Sequence, residues 1–241
     1  MKYTTTFHVE GNDTDVNGIA GASRVLRYMQ EAANRQMCEF GPTNEELWDK
    51  GMAFILSRFS MCLYRPIYAY DEIEVETWAC DSKGASFDRN GRITRNGEVI
   101  AELYTVWALL NTAEHTLIRV SDIEFGFGTD KVLTIDAPSR VRLPRGYEPP
   151  LIGERTIVYS DLDRNHHMNN TKYPDMLCDY VPGGMIGRRV VRISMHFMHE
   201  AAPGDTVRIY GGEYESSYFF RTLVNGGDVG VEAELVLDSI N

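Results

Sequence analysis

Cysteine is scarce: Cys38, Cys62, Cys80 and Cys178 are the only four, and no two form a CxxC pair. That spacing argues against a zinc ribbon or a dithiol redox motif and leaves four free thiols that serve packing. Basic residues are also few, 24 Lys and Arg against 35 Asp and Glu, so the formal net charge is -11. A chain this acidic lacks the field that sequence-independent phosphate binding needs, which argues against nucleic acid as a partner. Long hydrophobic runs are missing too. No stretch approaches the ~18 apolar residues of a membrane span, and the opening MKYTTTFHVEG has no apolar core of a secretory signal. The expectation is a cytoplasmic protein with no membrane partner. What is present is ordinary for a globule: 241 residues, 43% hydrophobic and 24% charged, enough for one large domain or two small ones.

The sequence states itself twice. DTDVNGIAGASRVLRYMQE, from Asp13, lies over DLDRNHHMNNTKYPDMLCD, from Asp161, so that Asp13, Asp15 and Asn17 match Asp161, Asp163 and Asn165 at an offset of 148 residues. Further on, SMCLYRPIYAYDEIEV matches SMHFMHEAAPGDTVRI, pairing Ser60 with Ser194, Met61 with Met195 and Asp71 with Asp205 at an offset of 134. The difference means that the first copy carries one extra turn and helix. GPTNEELWDKGM fits that insertion, with a Thr/Asn cap, Glu in the first turn and Gly51 as a stop.

Each copy reads as an opening strand, an Asp/Asn loop, a helix and a run of antiparallel strands. SRVLRYMQEAANRQMCEF puts Val25, Met29, Ala33, Met37 and Phe40 at helical spacing and stops at Gly41-Pro42. The following segments are rich in β-branched and aromatic residues, with RNGE and NGGD as hairpin signals. One helix across one face of each sheet gives an α+β fold. Two such sheets joined edge to edge form an intramolecular pseudo-dimer. The expected boundaries are a first repeat over 1–125, a Gly- and Pro-rich linker over 126–150, and a second repeat over 151–241.

The chemistry concentrates in DLDRNHHMNN, residues 161–170. In an extended loop, period-two alternation would turn Asp163, Asn165 and His167 the same way. Asn169 or Asn170 then caps the next helix, whose free N–H groups could hold an oxyanion. Asx turns alone would account for Asp163 and Asn165, since Asp15 and Asn17 occur in both copies. They do not account for His167, where the first copy has Ile19, nor for Glu200, where it has Pro66. Both asymmetries fall in the same copy, which favours catalysis there. His196, His199 and His166 are poorly spaced for a metal, and Cys178 reads as a packed thiol.

DLDRNHHMNNTKY resembles the Asp-Leu-Asp-x-Asn-x-His-x-Asn-Asn-x-x-Tyr signature of the acyl-ACP thioesterases, and the resemblance extends to VWALLNTAEHTLIRVSDI and HFMHEAAPGD. It implies a tandem (double) hotdog fold, with a long helix wrapped by a sheet in each half. It implies hydrolysis of fatty acyl-acyl carrier protein by Asp163, Asn165, His167 and Glu200, with Glu200 drawing a proton from water in concert with Asp163. Plant members often carry Cys after that glutamate. Ala201 stands here, which closes a thiol route. No cofactor or metal is implied.

By the same resemblance the first half holds the acyl tail, with Val25, Met29, Met37, Phe54, Met61 and Trp107 as candidate lining. Acyl carrier protein is acidic, so Arg24, Arg27, Arg140, Arg142 and Arg145 are the candidates to meet it. Acyl-CoA is the alternative substrate, and two pseudo-dimers could pair into a homodimer. A hotdog hydratase or dehydratase and a non-catalytic acyl-thioester binding protein are the rival functions. Against the dehydratases, HFMH stands where their HFPG-like stretch would be.

Overall fold

In the computed structural model, which describes residues 1–138 and 140–240, the chain runs β1 (Tyr3–His8), α1 (Ala22–Phe40), α2 (Asn44–Asp49), β2 (Met52–Leu63), β3 (Glu72–Cys80), β4 (Phe87–Arg95), β5 (Glu98–Asn111), β6 (Thr116–Ile118) and β7 (Thr129–Asp130). It continues with β8 (Leu151–Thr156), α3 (Tyr173–Asp179), β9 (Arg188–Phe197), β10 (Thr206–Tyr214), β11 (Ser217–Val224) and β12 (Asp228–Ser239). Ser139, within the expected linker, and Asn241, the end of the second expected repeat, lie outside the described residues.

The strands form one sheet in the order β1-β3-β4-β5-β2-β9-β12-β11-β10-β8, with β6 added on β5 and β7 on β3. The order on either side of the β2–β9 seam is the same, outward from a central strand to an edge strand. At the seam Arg58 faces His196, Ser60 faces Ser194 and Cys62 faces Arg192 in antiparallel register. A symmetric join of this kind satisfies the backbone of two edges that would otherwise be open.

Period-two patterning separates the two faces. Phe59, Met61, Ile193 and Met195 are fully buried under the helices, each contributing about 1.5–3 kcal/mol of apolar burial. They join Leu26 and Met29 of α1 and Met176 and Leu177 of α3 in one core that crosses the seam, so the halves share their interior. α1 is buried along Val25, Leu26, Met29, Ala32 and Met37, and ends where Gly41, at φ 64°, donates to the Met37 carbonyl. The extra helix α2 opens on a reciprocal cap between Thr43 and Glu46. Among the described residues no helix is long and apolar enough to cross a membrane.

One expectation needs correction. The second half lacks a long helix: α3 has 7 residues against 19 in α1, because Pro182 and the left-handed Gly183 and Gly184 end it early. The segment between the repeats is fastened to the sheet. It lies along the sheet face opposite the helices, where Trp78 Nε1 donates to Lys131 O (2.9 Å), Leu133 N to Asn90 Oδ1 (2.9 Å) and Arg192 Nη1 to Asp136 O (3.0 Å).

Candidate active site

The Asp/Asn turn is built twice from the same parts. Asp163 N donates to His167 O (2.9 Å) and Asn165 N to Asp163 Oδ1 (2.8 Å); in the first copy Asp15 N donates to Ile19 O (2.8 Å) and Asn17 N to Asp15 Oδ1 (2.7 Å). Met168 N reaches Ala201 O, and Ala20 N reaches Ile67 O, both at 2.8 Å. Asp161 is buried and accepts from Val158 N and Arg155, as Asp13 accepts from Glu10 N and Arg24. The left-handed position is Gly18 in one copy and His166 in the other. The segment is therefore a closed turn, not an extended loop, and the alternation argument fails because His166, at φ 63°, breaks the period.

The copies part at the side chains. Asn17 is consumed: its Nδ2 donates to Met185 O (2.9 Å) and Arg188 O (3.1 Å), and its Oδ1 accepts from Gly187 N (2.8 Å). The Asn165 carboxamide has no hydrogen bond among the described residues and lines a cavity of ≈ 390 Å³ together with Asp163. Ile19 is buried core, whereas His167 Nδ1 lies 3.0 Å from Glu200 Oε2 in a half-exposed pair. Glu200 follows β9 on a turn fastened by Ala202 N to Asp205 Oδ2 (2.8 Å) and Asn225 Nδ2 to Asp205 Oδ1 (2.8 Å). Those hydrogen bonds hold the Asp205 carboxyl below its usual range, with His199 and His167 adding to the effect. Tyr173 lies close by, its phenol pushed up by burial and then by Glu200.

The cavity joins the second half's turn to the first half's interior. Met37, Leu47, Phe54, Trp107, Phe125 and Phe127 form its apolar wall. Phe54 packs edge-on to Phe87 at 5.4 Å and stacks with Phe125 at 6.0 Å. The extra helix α2 closes one side: Arg164 lies over Trp48 (5.4 Å) and within 3.5 Å of Glu45. Of the candidate lining residues, Met37, Phe54 and Trp107 are on this wall. Val25 lines a different cavity, of ≈ 480 Å³, beside the first-copy turn, and Met29 and Met61 are core residues on neither wall. His167 and Glu200 are not among the lining residues. Reading by spacing missed Leu47, Trp48, Phe87, Phe125 and Phe127; the last two alternate with glycine in EFGFG, a period-two aromatic signal at the start of the expected linker.

At the expected helix start, the amides of Thr171, Lys172 and Asp175 are spoken for. Asn169 Oδ1 accepts from Thr171 N (2.9 Å), opening a 3-10 turn over Asn170–Lys172 that runs into α3; Lys172 N donates to Asn169 O (2.8 Å), and Asp175 N donates to Ser23 Oγ (3.0 Å). Pro174 has no N–H. The Asn165 carboxamide is a free polar group on the wall. The candidate arginines split between faces. Arg24 and Arg27 line a groove with Lys172 on the helix side. Arg140 and Arg142 act on His196 on the opposite face, and Arg145 is exposed. Burial pushes the Cys178 thiol up to about 12, which suits packing and not nucleophilic attack. Among the described residues no His/Cys/Asp/Glu group could hold a metal ion.

Fold and turn together describe a double hotdog protein in which the second of two matching turns shares a cavity with the aromatic cluster of the first half. The chain belongs to the acyl-ACP thioesterase family: residues 1–125 match its N-terminal domain and residues 151–234 its C-terminal domain. A palmitoyl-acyl carrier protein thioesterase from Gossypium hirsutum is 23% identical over 76% of this chain and 48% of its own length. The chain spans about half the length of the first plant relatives it matches. A crystal structure of an acyl-ACP thioesterase from Bacteroides thetaiotaomicron superposes with a TM-score of 0.85 at 23% identity, covering 98% of each chain. The 12:0-ACP thioesterase from Umbellularia californica gives 0.84 at 17% identity, covering 99% of this chain and 98% of its own.

Proposed function

We propose that the protein hydrolyses fatty acyl-acyl carrier protein to the free acid and the carrier thiol. The observation that carries this reading is the shared wall: Asp163 and Asn165, from the second half, line one cavity with apolar side chains of the first. An acyl tail buried there gains about 0.8 kcal/mol per methylene. Residues 1–125 then hold the tail, residues 151–241 carry the chemistry and residues 126–150 join them.

In the reaction, water attacks the thioester carbonyl carbon. Asp163 takes the water's proton, the Asn165 carboxamide donates to the oxyanion, and the tetrahedral intermediate collapses with expulsion of the carrier thiolate. The His167–Glu200 pair is the second acid–base unit and returns a proton to that thiolate. A thiolate leaves readily, so modest base catalysis is enough. The placement of Asp163 on the wall favours it over the more exposed Glu200 as the base. Arg24, Arg27 and Lys172 give the groove beside α1 a positive rim suited to an acidic carrier.

Thiol release from a panel of acyl-ACPs, with mass spectrometry of the acids, tests the reading beside D163N and H167A. Hydrolysis lost in both variants is expected; full activity in both sinks the site assignment. An acyl-CoA panel separates the two carriers, an enoyl thioester separates hydration from hydrolysis, and acyl-ACP recovered intact would mark a binding protein.

A further inference from the structure

A cationic side chain of the first half lies on the wall of the cavity, beside its aromatic cluster. Arg89, in the middle of β4, lines it together with Phe87 and Phe127, and its guanidinium stands 5.3 Å from the Phe127 ring centre. Its hydrogen-bond partners are neutral: Nη1 donates to Gln36 Oε1 (2.6 Å) and Thr77 Oγ1 (3.1 Å). Gln36 is fully buried and Thr77 nearly so. Among the described residues Arg89 belongs to no ion pair. A guanidinium so deep costs several kcal/mol of lost hydration unless an anion or acceptors replace the water. Burial accordingly pulls its pKa down to about 10.

Holding Gln36 and Thr77 uses one of the three nitrogens. Nε and Nη2 make no hydrogen bond among the described residues, yet they are not sealed orphans as Arg58 Nε and Arg192 Nε are. They keep accessible surface in a residue that lines the cavity. Three N–H groups are therefore left without a protein acceptor, among the described residues, on a side chain that lines the space a bound acyl tail would fill. A saturated hydrocarbon there would strip their water and give nothing back. Arg89 belongs to the half that holds the tail in the proposed function, with the aromatic cluster of Phe87 and Phe127 beside it on the wall.

Resting on the acyl-thioester reading above, we infer that the preferred substrates carry an oxygen acceptor on the acyl tail, a hydroxyl, keto or carboxylate oxygen, which Arg89 Nε and Nη2 bind. Arg89 is thus a specificity-determining residue that selects functionalised over plain fatty chains. Asp88, its neighbour in β4, does not serve as its counter-ion, because that carboxylate accepts from Tyr104 Oη (2.8 Å) and Ser86 Oγ (2.7 Å).

The test is kcat/KM for the wild-type protein on matched acyl-ACPs of one chain length: plain, hydroxylated along the tail, keto-substituted, and ω-carboxylated. One oxygenated series should exceed the plain chain by roughly 10- to 100-fold, the worth of a hydrogen bond to a charged group. The series that wins distinguishes a neutral oxygen from a carboxylate. R89M should collapse that ratio toward one and R89K should keep part of it, with circular dichroism reporting whether each variant folds. Plain chains cleaved as well as or better than every oxygenated chain by the wild type would overturn the inference, whatever the variants do. Absence of thiol release from all the acyl-ACPs would instead overturn the proposed function.

Discussion

Ser60 Oγ and Ser194 Oγ lie 2.9 Å apart across the β2–β9 seam, both buried, and they are separated by the same 134 residues as the repeat. The pair marks the pseudo-twofold axis of the molecule. Ser60 also donates to the Pro138 carbonyl, so the axis is where the connecting segment is fastened. S60A should cost about 1–3 kcal/mol in urea denaturation, because it leaves a buried carbonyl and a buried hydroxyl without their partner. S194A should cost less, since Ser60 keeps Pro138. The double variant should fall short of the sum of the two. Strict additivity would mean that the two hydroxyls do not interact.

Asn17 and Asn165 occupy the same place in the two turns and should fail in opposite ways. N17A loses three hydrogen bonds to the segment before β9 and should lower stability by about 1–3 kcal/mol. N165A removes a side chain with no hydrogen-bond partner among the described residues, so its melting curve should stay near wild type while kcat falls roughly 100- to 1,000-fold, the range for losing one oxyanion donor. A stability loss in N165A without a kcat loss would contradict the assignment.

His196 should give the fold an acid limit of its own. Burial, then Arg58 and Arg140 and with them Arg142, hold its imidazole below the usual histidine range, and Glu232 opposes them only in part. The unfolded chain therefore takes up the proton first. Stability from this group is complete above about pH 6.5, its unfolded value, and is lost as pH falls toward the depressed folded one. H196N should flatten the slope of stability against pH just below that point. An unchanged slope would mean that the arginines of the connecting segment do not face His196 in solution.

Thiol chemistry gives a check on packing. Cys38 is exposed, while burial raises the thiols of Cys62, Cys80 (to about 11) and Cys178 (to about 12). At pH 8 an alkylating reagent should add one label per folded chain, at Cys38, and unfolding should expose the other three. Fast labelling of Cys178 in the folded protein would contradict its packing from α3 against the core.

The repeat was legible because residues at a pseudo-twofold seam are constrained in pairs: Ser60 and Ser194 match in the sequence, and the structure places both at the seam. The Asp163 and Asn165 positions were legible for the same reason, and Asn17 as a counterpart showed what a purely structural Asn does there. The turn's shape was not, since nothing local announces that His166 adopts the conformation Gly18 adopts. The short α3 was hidden because Pro174 is tolerated at a helix start, and the stop depends on Gly183 and Gly184 several residues on. The cavity wall was hardest to read. Phe125 and Phe127 stand at the start of a segment that looks like linker, and Arg89 reads as a surface charge on a strand until Gln36 and Thr77 are seen to enclose it.

The length of chain the cavity accepts should respond to the small residues on its wall. Ala33 of α1 and Ala53 of β2 both line it, together with the aromatic cluster of Phe54, Phe87 and Phe125. A53F places a ring where the acyl tail would run, and the displaced methylenes return to water at about 0.8 kcal/mol each. Loss of two methylenes' burial should lower kcat/KM roughly tenfold for the longest chain the wild type accepts, while shorter chains keep theirs. The preferred acid released from a mixed acyl-ACP pool should therefore shift to a shorter length. A33S, which leaves the space open, should not move it. A uniform loss across all lengths in A53F would show that the ring disturbs the turn at Asp163 instead of the tail, and an unchanged product profile would place the tail elsewhere than this cavity.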